Sequence, residues 1–134
     1  MAAATQDRNT PFRDVELLAV PVAAGVRIRA GLIVVANATG FALEGSTSAA
    51  ITYLGRAEAS VDNTAGPDGG AIVYVRRSKA FKWANEPSDP VTQASFGKPA
   101  YIVDNQTVGK TNGGGTRSLA GTVVGVDADG VWIN

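Results

Sequence analysis

Two short runs in this chain have residue types that could do chemistry. Gly109-Lys110-Thr111 matches the end of a phosphate-binding loop, in which glycine amides cradle a phosphate and a lysine neutralises it. That pattern requires a glycine at position 104, and this chain has Asp104 there. A carboxylate at that point repels phosphate, and no helix former follows Thr111. The glycines, Gly113 to Gly115, come after the lysine instead. The run therefore reads as a flexible hairpin tip. Asp127-Ala128-Asp129-Gly130 matches the start of a calcium loop. Such a loop needs a third ligand at the next alternate position and a bidentate glutamate further on. Val131 and Trp132 follow instead, so the run reads as an Asp-Gly hairpin turn and no metal ligand is assigned.

The carboxylates Asp62, Asp68, Asp104, Asp127 and Asp129 all fall at expected strand ends or loops. A pair of them could serve as acid and base in glycoside hydrolysis. Aspartate also belongs in loops for turn chemistry alone, and nothing raises one of these above the others. The chain has neither histidine nor cysteine. Disulfides, thiolate metal sites, cysteine nucleophiles and any Ser-His-Asp arrangement are thereby excluded. The expectation is a protein that is not an enzyme and uses no cofactor.

Formal net charge is zero, from 12 Lys and Arg against 12 Asp and Glu. The one tight basic cluster is Arg76, Arg77 and Lys79, too little to point to nucleic acid. The longest apolar stretch, Leu32 to Ala36, is too short to cross a bilayer, so no membrane partner is expected. The first residues lack the basic and apolar regions of a secretory signal. A soluble, cytoplasmically made product follows as the expectation, with the sequons at Asn37 and Asn105 as chance matches.

The elements that must position these residues are short strands and turns. Residues 1–13 are polar, contain Pro11 and show no period, which reads as an extended arm. Residues 14–134 read as a single β domain. Val15 to Val22 alternates weakly, Arg27-Ile28-Arg29 more clearly, and Leu32 to Val35 is a buried-strand run. Ile51 to Val61 reads as one long extended segment, and 62–70 as a loop by composition. Ile72 to Arg76, Phe81 to Trp83 and Tyr101 to Val103 are further strands. Thr92 to Gly97 is the one plausible helical turn, with Thr92 as its cap. Leu119 to Val126 and Gly130 to Ile133 close the chain as a hairpin. Strand runs recur without any sustained helical period, so the fold class is all-β, a compact barrel or sandwich-like domain. Trp83, with Phe81, Tyr74 and Tyr53, either lines an aromatic binding face or packs in the core. Trp132 is expected in the core or at a contact between protomers.

The ordered string of motifs resembles a known family. Gly55-Arg56-Ala57-Glu58, then Val61 to Gly66, then Val73-Tyr74-Val75-Arg76-Arg77, is similar to the middle of tailed-bacteriophage capsid cement, or head decoration, proteins. Asp89-Pro90-Val91-Thr92, Gly97 to Asp104, Gln106-Thr107-Val108, Ala120 to Val124 and Gly130 to Ile133 continue the resemblance. Pro21 to Val26 and Ala30-Gly31 open it, so it spans about residues 15–133. The resemblance implies a β-barrel-like homotrimer on the outer capsid surface of the virion. There it would bridge subunits of the major capsid protein and stabilise the mature shell, with no active site. The first dozen residues carry no match. The candidate partner-binding residues are Arg8, Pro11, Phe12 and Arg13 on the arm, with Phe12 as apolar anchor, and Trp83. The competing expectation is a β-sandwich module for host-surface glycans that uses Trp83 and nearby tyrosines.

Overall fold

A computed structural model describes residues 2–134 and shows an all-β protein built from two strand systems packed against each other. The first is a sheet in the order β1 (Leu17–Pro21), β7 (Ile72–Arg76), β5 (Thr52–Ala57), β3 (Ile33–Ala36) and β4 (Ala42–Glu44). All of its pairs are antiparallel. The second is a closed barrel in the order β10 (Thr107–Gly109), β8 (Phe81–Asn85), β12 (Gly130–Ile133), β11 (Leu119–Asp127) and β9 (Pro99–Ile102). Its closing pair, β10 with β8, is parallel, and the others are antiparallel. β2 (Val26–Ile28) and β6 (Val61–Asn63) pair as a separate two-stranded ribbon whose Ile28 packs into the core of the first sheet.

Side chains alternate across a strand, so a strand packed on both faces must be apolar throughout. β3 meets that demand. Ile33 and Val35 enter the barrel core with Trp83, Ile102, Val123 and Ile133. Val34 enters a second core with Val20, Ile28, Ala42, Val73 and Val75. Ile33, Val34 and Val35 are all fully buried. β5 serves the same two cores by a different device. Its register against β3 slips between Val34 and Val35, which leaves Leu54 as an extra residue. Tyr53 therefore faces the barrel core while Leu54 and Ala57 face the second. The slip occurs at Gly55, whose φ of 151° and close approach to the Arg76 carbonyl admit no side chain.

Several expectations need correction. Ile51 to Val61 is not one extended segment. β5 ends at Ala57, and residues 58–60 bend the chain into β6 and the separate ribbon. Ser60 Oγ holds that bend by accepting from the Ala30 amide at 3.0 Å. The expected loop at 62–70 begins inside β6. Asn63 is buried there, and its side-chain amide donates to the carbonyls of Ala23 and Pro67, each at 2.9 Å. The helical turn is a single 3-10 turn, Gln93–Ser95, and the Thr92 side chain does not cap it. The final hairpin turns through Ala128 and Asp129, but Gly130 has no left-handed φ. Gly130 is needed for space. A Cβ there would lie 2.7 Å from Lys82 Cγ and 2.8 Å from the Trp83 carbonyl oxygen.

Ile33 and Leu17 give a direct contrast, one fully buried and one 45% exposed. Ile33→Ala should lower the unfolding free energy by about 2–5 kcal/mol, and Leu17→Ala should change it by about 0.5 kcal/mol or less. Urea denaturation of the two variants measures both.

Candidate functional site

Of the residues that suggested phosphate or metal chemistry, Thr111, Asp127 and Asp129 are bound internally. Asp89 Oδ2 accepts from the Thr111 hydroxyl at 2.7 Å, the Thr111 amide at 2.9 Å and Arg117 Nη1 at 2.8 Å. The bonds from Thr111, then Arg117, hold the Asp89 carboxyl below its ordinary pKa. The donors of the Gly-rich tip thus already hold a protein carboxylate. Asp127 accepts from the Trp132 indole at 2.7 Å, and Asp129 pairs with Lys82 at 2.8 Å. The bond from Lys82 lowers the pKa of Asp129.

The other three aspartates each accept a backbone amide. Asp62 accepts from the Thr64 hydroxyl and amide, which lowers its pKa. Asp68 takes the Ala24 amide at 2.8 Å, and Asp104 the Gln106 amide at 2.9 Å. A carboxyl acting as general acid near neutral pH needs a raised pKa. The shifts at Asp62, Asp89 and Asp129 run the other way.

Trp83 is not a surface residue. It is 5% exposed in the barrel core, and its indole N–H donates to the Tyr53 hydroxyl at 3.1 Å. Phe81 packs beside it with ring centroids 6.0 Å apart. Trp83 is thereby corrected from a partner-binding or sugar-stacking residue to a core residue. Burial raises the pKa of Tyr53. The exposed aromatics are instead Phe12, Tyr74, Phe96 and Trp132.

The arm carries the other candidates. Residues 2–17 are exposed throughout, and Phe12 is 95% exposed. No backbone hydrogen bond ties residues 2–15 to the rest of the described chain. Arg8, Pro11, Phe12 and Arg13 lie together on this segment, away from the buried Trp83. The arm leads into β1, the outer strand of the sheet. The barrel covers the part of the sheet formed by β3 and β5 but not β7 and β1. The uncovered part exposes Leu17, Ile72 and Tyr74. In the β1–β7 register Leu17 lies opposite Arg76, Ala19 opposite Tyr74 and Pro21 opposite Ile72, so all share that face. Sequence alternation in β1 is too weak to reveal that one of its faces is left open.

Where this open face meets the barrel, Glu58 joins two strands. Its Oε1 accepts from Arg56 Nη2 at 2.6 Å and Arg76 Nε at 2.9 Å. These bonds, Arg76 first, pull the Glu58 pKa down to about 2. Arg56 also lies 5.0 Å over the Phe81 ring, and Lys82 lies 5.7 Å from the Trp132 ring. A groove of about 560 Å³ runs between Glu16, Arg56, Arg76 and Lys79 on one side and Phe81, Lys82 and Trp132 on the other. Comparison with protein families, curated proteins and solved structures finds no match to this chain.

A depressed folded-state pKa stabilises above the unfolded pKa and loses that contribution as pH falls. For Glu58 the window runs from its ordinary 4.5 down to about 2. The urea midpoint should therefore fall between those pH values, and Glu58→Gln should flatten that part of the curve.

Proposed function

We propose that this chain is a structural accessory protein of a tailed-bacteriophage capsid. It would bind the outer surface of the shell, bridge subunits of the major capsid protein and stabilise the mature lattice without catalysing a reaction. The proposal begins from the resemblance across residues 15–133. The observation that carries it is the exposed arm, in which residues 2–13 form no backbone hydrogen bond to the rest of the described chain and Phe12 is 95% exposed. Covering a phenylalanine side chain by a second surface would gain about 1.5–3 kcal/mol. The arm adjoins an open sheet face bearing Leu17, Ile72 and Tyr74, so the two form one surface. The carboxylates tied into turns and ion pairs favour a structural role over acid–base work.

The physics of such a role needs no tight single contact. An ordinary interface buries about 1,600 Å² in total. A homotrimer would engage several capsid subunits at once, and its contacts would reinforce one another through effective concentration. Preference for the mature lattice would stabilise that lattice by mass action. Zero net charge suits many copies side by side, because neighbours do not repel.

Removing residues 2–13 should leave the thermal unfolding of the β domain unchanged and strongly reduce occupancy on purified capsids. Undiminished occupancy would refute the arm's role. Light scattering of the full chain should give a trimer mass. A monomer at every concentration, with monomeric density on capsids, would refute the trimer.

A further inference from the structure

A cleft on the barrel carries polar groups that the fold leaves without partners. It lies between the 3-10 turn and the β9–β10 pair and has a volume of about 380 Å³. Thr92, Ser95, Lys98, Tyr101, Lys110 and Thr111 supply its polar wall, and no acid lines it. Strand register brings the two lysines together. Gly109 lies opposite Tyr101, so Lys110 comes level with the start of β9, directly after Lys98. The backbone pins both. The Lys98 amide donates to the Ser95 carbonyl at 2.9 Å, and the Lys110 amide to the Asp89 carbonyl at 3.0 Å. Neither ammonium group forms an ion pair among the described residues. The nearby carboxylate of Asp89 is already held by Thr111 and Arg117.

Ser95 is the second observation. It is only 5% exposed, yet its side chain takes part in no hydrogen bond among the described residues. Its amide and carbonyl are both engaged, with Thr92 and Lys98. Among the described residues no fully buried side-chain oxygen lacks a partner, so the Ser95 hydroxyl opens onto the cleft that the residue lines. A buried hydroxyl normally finds an acceptor, and here the protein supplies none. The side chain of Thr92, beside it, does not cap the turn.

We infer that this cleft binds a tetrahedral oxyanion, a phosphate or sulfate group, held between Lys98 and Lys110 with the Ser95 hydroxyl donating to one of its oxygens. Two ammonium groups match a dianion. Each is a compact point charge with three donors, which suits the several oxygens of a tetrahedral group. A planar carboxylate is matched instead by the fork of a guanidinium, and no arginine lines the cleft. The arrangement is not a phosphate-binding loop, because no helix follows Thr111. Lys110 is the one charged side chain of that run, and the fold leaves it unpaired. Such a site works in the free chain, whether or not the chain binds a capsid.

The test is a titration of the isotope-labelled full chain with sodium phosphate at neutral pH and constant ionic strength, followed by amide chemical shifts, with sodium chloride as the control. The expected result is saturable shifts in the millimolar range, confined to Ser95, Lys98, Lys110 and their neighbours, with sulfate competing. Lys98→Gln/Lys110→Gln should abolish saturation. Ser95→Ala should weaken binding about fivefold or more, through loss of a hydrogen bond to a charged group. Both lysines are exposed, and unchanged amide shifts elsewhere confirm that the variants fold. Acetate, a planar monoanion, should bind about tenfold more weakly than phosphate or worse. Glucose 6-phosphate separates the sources of the group. Tighter binding than phosphate assigns a phosphorylated sugar, equal binding assigns the free ion, and both support the site. Shifts that never saturate, that chloride reproduces, or that survive the double lysine variant would overturn the inference. So would acetate binding as tightly as phosphate.

Discussion

The whole architecture depends on one four-residue strand that is buried on both faces. Ile33 and Val35 pack into the barrel core, and Val34 packs into the second core. A strand in this position cannot slip by one residue without exchanging the two sets of side chains, so its register is strongly constrained. The same strand fixes the barrel to the sheet through its backbone. Its first amide donates to the Asn105 carbonyl at 2.9 Å, which ties it to the loop between two barrel strands. Glu44 strengthens this joint by accepting from Asn105 and from Arg29.

The open face is a consequence of that joint. The barrel core takes side chains from β3, from Leu43 on β4 and from Tyr53 on β5, and none from β7 or β1. β7 and β1 then have one buried face, holding Val73, Val75 and Val20, and one face in solvent. The charged network of Arg56, Glu58 and Arg76 lies where the covered region ends. Arg56 bridges the boundary, with its guanidinium over Phe81 on the barrel side and its ion pair on the sheet side. Charged side chains at such a boundary keep their heads in water while their stems cover apolar atoms.

Much of the fold was legible in residue order. β-branched runs marked most strands, and Gly, Asn and Asp marked most turns. The failures share a cause. Ile51 to Val61 read as one strand because apolar content says nothing about which sheet a residue joins. Gly130 suggested a left-handed turn, whereas its role is to let Lys82 and the Trp83 carbonyl approach. Trp83 could have belonged to a core or to a binding face, since an indole suits either. Residues 2–13 show no pattern in sequence, and they form no strand.

By itself, then, the sequence determined an all-β chain, an unpatterned N-terminal segment and the exclusion of histidine and cysteine chemistry. These follow from local propensity and from residue types, which need no knowledge of neighbours. Only the tertiary structure decided that Trp83 is buried and Trp132 half-exposed, that Asp89 fills the Gly-rich tip, and that Arg56, Arg76, Lys79 and Lys82 line one groove. Each of those depends on strands far apart in the chain meeting at a particular register. That register is set by how one doubly buried strand divides its side chains between two cores, and no local pattern records it.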